Sequence, residues 1–382
     1  MIRPTRAIID RAALRANLGL IRRKLSAGTG IMAVVKANCY GHDVAICVPE
    51  LLDAGADMLA VATIEEAAKL RSLGITARIV VLAPALEGQY QEFAAHDAEP
   101  FISDARSAEK LARVADAGGR RLRAHLFVDT GMRRDGVAPG EALETLRLCA
   151  AMPGLDMVGF ASHFATSEEA DTSYAREQLA IFDATLRGAL DAGFTFQNIH
   201  IANSGGIFNL PEAHYTMVRP GISLYGYHPS PELHAASGLQ PVMSLRTVVG
   251  NMMNVGPGLS VSYGRRYYTR KATTLASLPL GYADGLMRRL TNIVQVLIGG
   301  RRYPMVGTIC MDEVMVDLGD APDVRIGDEV LLLGRSGAEK IDAWDMAEQA
   351  GTIPYEICTN ISARVPRVPN AEYEANQFGN IS

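Results

Sequence analysis

Along the first part of the chain the apolar residues fall in short unbroken runs, not in alternation with polar ones. The runs are Ile31–Val35, Met58–Ala62, Ile79–Ala83, Ala124–Val128, Val158–Ser162, Ile199–Ala202 and Met217–Val218, and a weaker one near Pro100–Ile102 brings the count to eight. Between them lie segments of helical period. Asp10 is a candidate N-cap ahead of Leu14, Leu18, Ile21 and Leu25, and Leu179, Phe182, Leu186 and Leu190 recur at helical steps in Tyr174–Leu190. Strands that are apolar throughout are buried on both faces, as in a parallel sheet covered by helices. Eight such units in about 200 residues predict a (β/α)8 TIM-type barrel in preference to an open sheet.

Beyond Leu239 the pattern changes. Val242–Val249, Thr273–Leu280, Ile293–Ile298, Val314–Leu318 and Glu329–Leu333 are short, often β-branched, and separated by turns containing Gly or Pro. They predict a mostly antiparallel β domain, interrupted by a helix over Ala343–Ala350 and closed by a strand around Ile361–Val365. His228–Pro241 reads as the linker. The expected division is a barrel over residues 1–235 and a β domain over 236–382, with the first residues able to join the β domain.

Composition narrows the picture without redirecting it. At 382 residues, with 48% hydrophobic and 21% charged residues, the chain has the length of two globular domains and too much apolar content for disorder. A net charge of −5, with arginine pairs such as Arg22–Arg23, Arg288–Arg289 and Arg301–Arg302 scattered along the chain, argues against a general nucleic-acid binder. Met1–Leu25 lacks the apolar core of a secretory signal, and no stretch reaches the roughly 20 apolar residues of a membrane span. The five cysteines are odd in number and show no C-x-x-C spacing. That suits free thiols in a reducing cytoplasm and offers no zinc site, so no metal is expected.

In a barrel of this kind reactive groups belong at the carboxyl ends of the strands. Polar residues collect there: Lys36, Asp129 to Arg134, His163, Asn203-Ser204-Gly205-Gly206, and Arg219-Pro220-Gly221. A lone strand-end lysine is more often a snorkelling surface group than a catalyst, and a lone histidine is usually structural. Five coincident strand ends weaken that reading. A lysine near other cations has its pKa lowered and can form a Schiff base. The turns Ser204–Gly206 and Gly221–Ile222 offer backbone N–H groups suited to a phosphate. Lysine and phosphate cradle together point to pyridoxal phosphate, and no Walker loop, dinucleotide fingerprint or H-E-x-x-H pair competes.

The sequence resembles the alanine racemases. Ala33-Val34-Val35-Lys36-Ala37-Asn38-Cys39-Tyr40-Gly41-His42 is similar to their cofactor-attachment signature. Similar blocks follow in family order: Asp129-Thr130-Gly131-Met132-Arg133-Arg134, Ser162-His163-Phe164-Ala165, Ala202-Asn203-Ser204, Arg219 to Gly226 and Ser262-Tyr263-Gly264. Then come Gly281-Tyr282-Ala283-Asp284-Gly285, Ile309-Cys310-Met311-Asp312 and Arg364-Val365-Pro366-Arg367. The resemblance covers nearly the whole chain and implies a barrel followed by a β domain.

It also implies roles. Lys36 would carry pyridoxal phosphate and act as one acid/base, while Tyr263 would be the second, on the opposite face of the substrate α-carbon. Racemisation needs one base to remove the α-proton and another to return a proton from the far side. In the family this tyrosine comes from the partner subunit, so a homodimer with shared active sites is implied. Arg219 would face the pyridine nitrogen, supported by His200, with His163 packed against the ring. An arginine cannot accept the ring N–H, so it would keep that nitrogen unprotonated and the ring a weaker electron sink. Tyr40, Asn203, Ser204, Gly221 and Ile222 fall at cofactor-binding positions, the phosphate being held by Tyr40, Ser204, Gly221 and Ile222. Arg134 would steer the substrate carboxylate beside the Met311 backbone, with Tyr282, Cys310 and Asp312 in support. The substrate would be alanine, the product feeding peptidoglycan synthesis or, in reverse, D-alanine breakdown. A racemase with another main substrate, such as serine, and a non-catalytic pyridoxal-phosphate carrier are the alternatives.

Two positions depart from the family pattern. Where many members carry a carbamylated lysine that orients the arginine matching Arg134, this chain has Phe127. A bound anion such as chloride, or a nearby polar side chain with Asp135 as the weaker candidate, is expected in its place. Ala363 stands where some members have a tyrosine, which would admit side chains somewhat larger than methyl.

Overall fold

The structure is a computed structural model, and it describes residues 3–234, 236–320, 323–371 and 373. The first strand, β1 (Arg6–Ile9), is followed by α1 (Arg11–Lys24), whose start is held by the Asp10 carboxylate accepting the Ala13 N–H at 3.0 Å. Eight strands then alternate with helices: β2 (Gly30–Val34), β3 (Met58–Val61), β4 (Ile79–Val81), β5 (Ala98–Ile102), β6 (Leu122–Phe127), β7 (Leu155–Ala161), β8 (Asn198–His200) and β9 (Met217–Val218). The helices between them include α2 (Val44–Asp53), α3 (Ile64–Ser72), α4 (Tyr90–Ala95), α5 (Ala105–Ala117), α6 (Ala142–Ala150), α7 (Ser173–Asp191) and α8 (Ser204–Asn209).

The eight strands pair in parallel in the order β8-β7-β6-β5-β4-β3-β2-β9. Just past β8 and β9 the Arg219 N–H donates to the Ala202 carbonyl at 2.9 Å, drawing the two edges together. The result is a nearly closed (β/α)8 barrel. Its strands are buried along almost their whole length, which is why they appear in the sequence as continuous apolar runs.

The remaining strands build a mostly antiparallel sheet: β10 (Met243–Val248), β11 (Asn251–Val255), β14 (Thr273–Leu278), β15 (Gln295–Ile298), β16 (Arg301–Val306), β17 (Val314–Gly319), β18 (Glu329–Ser336), β19 (Glu339–Ile341) and β20 (Arg367–Pro369), with β12 (Ser260–Val261) and β13 (Tyr267–Tyr268) forming a separate two-stranded ribbon. β1 joins this sheet, antiparallel to β10 and parallel to β20. In β10 and β17 buried residues alternate strictly with half-buried ones, as expected of strands with one face on the core. The helix predicted over Ala343–Ala350 forms as α9 (Ala343–Ala350) and is followed by α10 (Pro354–Asn360).

One predicted element is absent. Ile361–Val365 is a turn; the chain becomes a strand only at Arg367–Pro369. The Arg367 guanidinium donates to the Ile361, Ser362 and Val365 carbonyls, so the backbone groups a strand would use are taken by a side chain.

The chain divides into two units. One holds Leu14–Cys39 and Cys47–Leu239; the other holds Met1–Ala13, Tyr40–Ile46 and Gln240–Ser382. Cys149, Cys310 and Cys358 are free thiols. Among the described residues no helix is long and apolar enough to cross a membrane.

Candidate active site

The barrel mouth gathers cations. Lys36 lies one residue beyond β2, at the head of a turn in which Ala37, Asn38, Cys39 and Tyr40 all have left-handed backbone, with φ of 50°, 53°, 56° and 52°. Non-glycine residues adopt that region at a cost of roughly 1–2 kcal/mol each, so the turn must be held from outside. Glu66 on α3 supplies part of that hold. One carboxylate oxygen accepts the Ala37 N–H at 2.6 Å; the other accepts the Ala62 N–H at 2.8 Å and the Thr63 N–H at 3.3 Å. Burial, then the Arg134 charge, lowers the Lys36 pKa; Glu66 opposes the shift and Arg219 adds to it.

Arg219 follows β9 and is buried. One terminal nitrogen donates to His200 Nδ1 at 2.6 Å and the His200 carbonyl at 3.0 Å. The other reaches the Ser162 carbonyl at 2.6 Å, His163 Nδ1 at 3.0 Å and the Ile201 carbonyl at 3.2 Å. The terminal donors are thus committed, while Nε–H has no protein acceptor among the described residues. Burial and the Arg134 charge bring the guanidinium down to about 9, still charged at neutral pH. Burial and Arg219 push His163 and His200 far below the usual histidine range, so both are neutral.

Lys36, Arg134, His163 and Arg219 line one cavity of about 260 Å³, walled by Ala62, Leu82, Ala83, Phe101, Phe127 and Asp135. Phe127 is buried and stacks on Phe101 with ring centroids 4.8 Å apart. Asp135 Oδ2 lies 3.4 Å from Arg134 Nε, which places one of the expected side-chain candidates beside the arginine. Asp129 folds the loop ahead of Arg134 by accepting the Gly131 and Arg133 N–H groups at 2.9 and 3.0 Å.

Beside this cavity's strands the two glycine-bearing turns meet. Ser204 Oγ accepts the Gly221 N–H at 2.9 Å and the Ser223 N–H at 3.3 Å, and lies 3.0 Å from Ser223 Oγ. Ser204, Gly221 and Ile222 are buried. Asn203 caps α8, its side-chain oxygen accepting the Gly206 N–H at 3.0 Å and the Ser167 hydroxyl at 2.7 Å.

The β unit carries the other residues. Tyr263 follows β12 and is 72% exposed, with Ser262 before it in left-handed backbone at φ 64°. Its position is fixed through the main chain: the Thr308 hydroxyl donates to the Tyr263 carbonyl at 2.6 Å, and the Ser262 hydroxyl donates to the Thr308 carbonyl at 2.6 Å. Tyr263, Tyr282, Cys310, Met311 and Asp312 border a single cavity of about 960 Å³. The Tyr282 and Ala283 N–H groups donate to the Cys310 and Met311 carbonyls at 3.0 and 3.1 Å. Gly281 permits this approach, since a Cβ there would fall 2.3 Å from the Cys310 carbonyl oxygen. Asp312 pairs with Arg364 at 2.8 Å, and Ala363 is exposed. Tyr40 is also in this unit, buried, with its ring 5.8 Å from that of Tyr355. The predicted residues therefore form two groups, Lys36, Arg134, His163, His200, Asn203, Ser204, Arg219, Gly221 and Ile222 in the barrel, and Tyr40, Tyr263, Tyr282, Cys310, Met311 and Asp312 in the β unit.

Three residues of consequence escaped the sequence reading: Glu66, Glu99 and His125. Glu66 could have been found from Thr63-x-x-Glu66, a capping-box spacing that the helix uses. The signal for the other two was a charged and an ionisable residue in largely buried strands, Glu99 in β5 and His125 in β6.

Comparison with known proteins agrees with the geometry. Residues 9–229 match the family model "Alanine racemase, N-terminal domain", and residues 242–369 match "Alanine racemase, C-terminal domain". The chain is 40% identical to alanine racemase of Halothermothrix orenii over 365 residues, 96% of each chain. It is 42% identical to that of Symbiobacterium thermophilum over 371 residues, 97% of this chain and 98% of the other. Among solved structures, alanine racemase from D-cycloserine-producing Streptomyces lavendulae superposes with a TM-score of 0.92 at 37% identity, covering 97% of both chains. The Bacillus anthracis enzyme with bound L-Ala-P gives 0.91 at 36% identity, covering 97% of this chain and 96% of that one. The fold and the strand-end lysine and arginine thus define a barrel-type isomerase. The chain belongs to the alanine racemase family.

Proposed function

We propose that the protein interconverts L- and D-alanine with pyridoxal phosphate bound at Lys36, as a cytoplasmic homodimer in which each active site takes Tyr263 from the partner subunit. The supporting observation is Arg219, whose terminal donors are fixed by protein acceptors while Nε–H remains for a ligand beside Lys36. The residues present fit the cofactor. A lysine of lowered pKa gives up its proton more readily, the Ser204–Gly221 turns suit a phosphate, and the cationic mouth suits a phosphate and a carboxylate together. When bound, the cofactor supplies the electron sink that acidifies the substrate Cα–H.

The chain's own residues do the rest. Arg219 would donate toward the pyridine nitrogen and cannot accept from it, which would weaken the sink and disfavour side reactions. Arg134, paired with Asp135, orients the substrate carboxylate. The Lys36 amine moves a proton on one face of Cα and the Tyr263 hydroxyl on the other. In a bacterium, D-alanine would feed peptidoglycan synthesis or be drawn down in the reverse direction.

The test is α-proton exchange in deuterium oxide, followed by NMR, with cofactor-loaded protein and a panel of L-amino acids. Loss of the alanine α-proton with appearance of D-alanine on chiral analysis is the expected result. Exchange without inversion would remove Tyr263 as second base, and no exchange with any amino acid would replace the reading by a cofactor carrier. Sharing is tested by mixing Lys36→Ala and Tyr263→Phe protein. Reassorted dimers regain activity only if the two residues of one site come from different subunits.

A further inference from the structure

A file of ionisable side chains runs through the barrel below Arg219. His200 Nε2 lies 2.8 Å from His125 Nδ1, and His125 Nε2 lies 2.9 Å from Glu99 Oε2. Glu99 is held in turn by Arg78, whose Nε and a terminal nitrogen donate to its two oxygens at 2.6 and 2.8 Å, and Arg123 Nε lies 3.0 Å from Oε1. Glu99, His125 and His200 are buried, while Arg78 and Arg123 carry the file to the partly exposed rim at the amino ends of β4 and β6. Space has been kept for it. Gly159 on β7 is the register partner of His125, and a Cβ at Gly159 would fall 1.9 Å from His125 Nδ1. Among the described residues no three His, Cys, Asp or Glu side chains are placed to hold a metal ion, so the file is not a metal site.

We propose that Glu99 and His125 are positioning residues that fix the direction of every hydrogen bond beneath Arg219, so that His200 always presents an unprotonated Nδ1 to the guanidinium. This rests on the function proposed above. The argument is one of donors and acceptors. Arg219 can only donate, and an ionised Glu99 can only accept. Between them stand two neutral imidazoles, each with one N–H and one lone pair. Glu99 requires the His125 proton on Nε2, which leaves Nδ1 to accept. His200 must then carry its proton on Nε2 and accept from Arg219 at Nδ1. The reverse arrangement places N–H against N–H at the Arg219 end. Burial alone would raise the Glu99 carboxyl, but the His125 and Arg78 hydrogen bonds outweigh it and hold the value at about 2.

Glu99→Gln changes one atom at the far end of the file. Oε1 faces two fixed donors, Arg78 Nε and Arg123 Nε, while Oε2 faces one, the Arg78 terminal nitrogen, beside a histidine that can reverse; the amide oxygen is therefore selected at Oε1 and the amide NH2 faces His125 Nε2. That nitrogen must then accept, both imidazoles reverse, and His200 turns an N–H toward Arg219.

The experiment is ¹⁵N NMR of histidine-labelled protein, read in cofactor-free and cofactor-loaded forms. The proposal expects His125 and His200 protonated on Nε2 in the native protein and in Glu99→Asp, and on Nδ1 in Glu99→Gln. Glu99→Gln should also lose about tenfold or more in kcat with little change in KM, the loss expected when a buried donor faces another donor. Nδ1-protonated His125 in the native protein would overturn the proposal, as would unchanged tautomers or unchanged kcat in Glu99→Gln. Should Glu99→Gln fail to fold, the native protein and Glu99→Asp still decide. Because the tautomers are read without cofactor or substrate, failure here is separate from failure of the racemase reading, which shows as absent α-proton exchange in the native enzyme.

Discussion

Arg219 and Tyr263 are assigned to the same reaction, yet their surroundings are opposite. Arg219 is buried and its terminal N–H groups are all bonded, with His200, His125 and Glu99 stacked in series behind it. Tyr263 is 72% exposed, and its hydrogen bond among the described residues runs through its backbone carbonyl. A group that must keep one direction and one charge is fixed from every side. A group that, on the function proposed, would meet a surface brought by a partner subunit sits on a fixed turn with its side chain outward.

Replacing the residues on each side sharpens this contrast. Lys36→Ala should lower racemisation by about 10⁴-fold or more and abolish covalent cofactor attachment, read by borohydride reduction and mass spectrometry. Tyr263→Phe should cost about 10³-fold in kcat while leaving thermal stability within about 0.5 kcal/mol, because the residue is largely exposed and its hydroxyl makes no hydrogen bond among the described residues. A large loss of stability in Tyr263→Phe would break the comparison.

Acid should act on the barrel side. Glu99 sits at about 2 in the folded chain against an ordinary 4.5, so its stabilising contribution is present above pH 4.5 and is lost as pH falls through about 2. That contribution is on the order of 3 kcal/mol. Buried neutral His125 and His200 act in the same direction, because the unfolded chain takes up their protons below about pH 6.5. Calorimetry from pH 7 to 3 should show falling Tm, with a shallower acid slope in Glu99→Gln and an unchanged slope in Tyr263→Phe. The smallest effect is expected at Asp135→Asn. A partly exposed pair at 3.4 Å is worth roughly 0.2–1 kcal/mol, so KM for alanine should rise only a few-fold, checked by steady-state kinetics.

What the sequence revealed followed from periodicity and strand ends. Each barrel strand is buried on both faces and so reads as an apolar run; the residue after each run falls at the mouth, which is how Lys36, His163 and Arg219 came to notice. Ile361–Val365 misled because a β-branched, apolar composition does not reveal that Arg367 takes up its carbonyls from a distance. His125 was passed over because a single polar residue within an apolar run looks like noise, and Glu99 because it stands just ahead of the weak run Pro100–Ile102. Only the fold brings Gly159, His125 and His200 onto one line.

The left-handed turn at Ala37–Tyr40 bears on how the molecule assembles. It has no local preference for its own shape, and its Ala37 N–H finds its acceptor in Glu66, a residue of the next βα unit. The turn should therefore contribute nothing to the folding nucleus, with φ-values near zero and an unfolding rate sensitive to Glu66. The segment that carries the reactive lysine would set last, after the scaffold that holds it has formed.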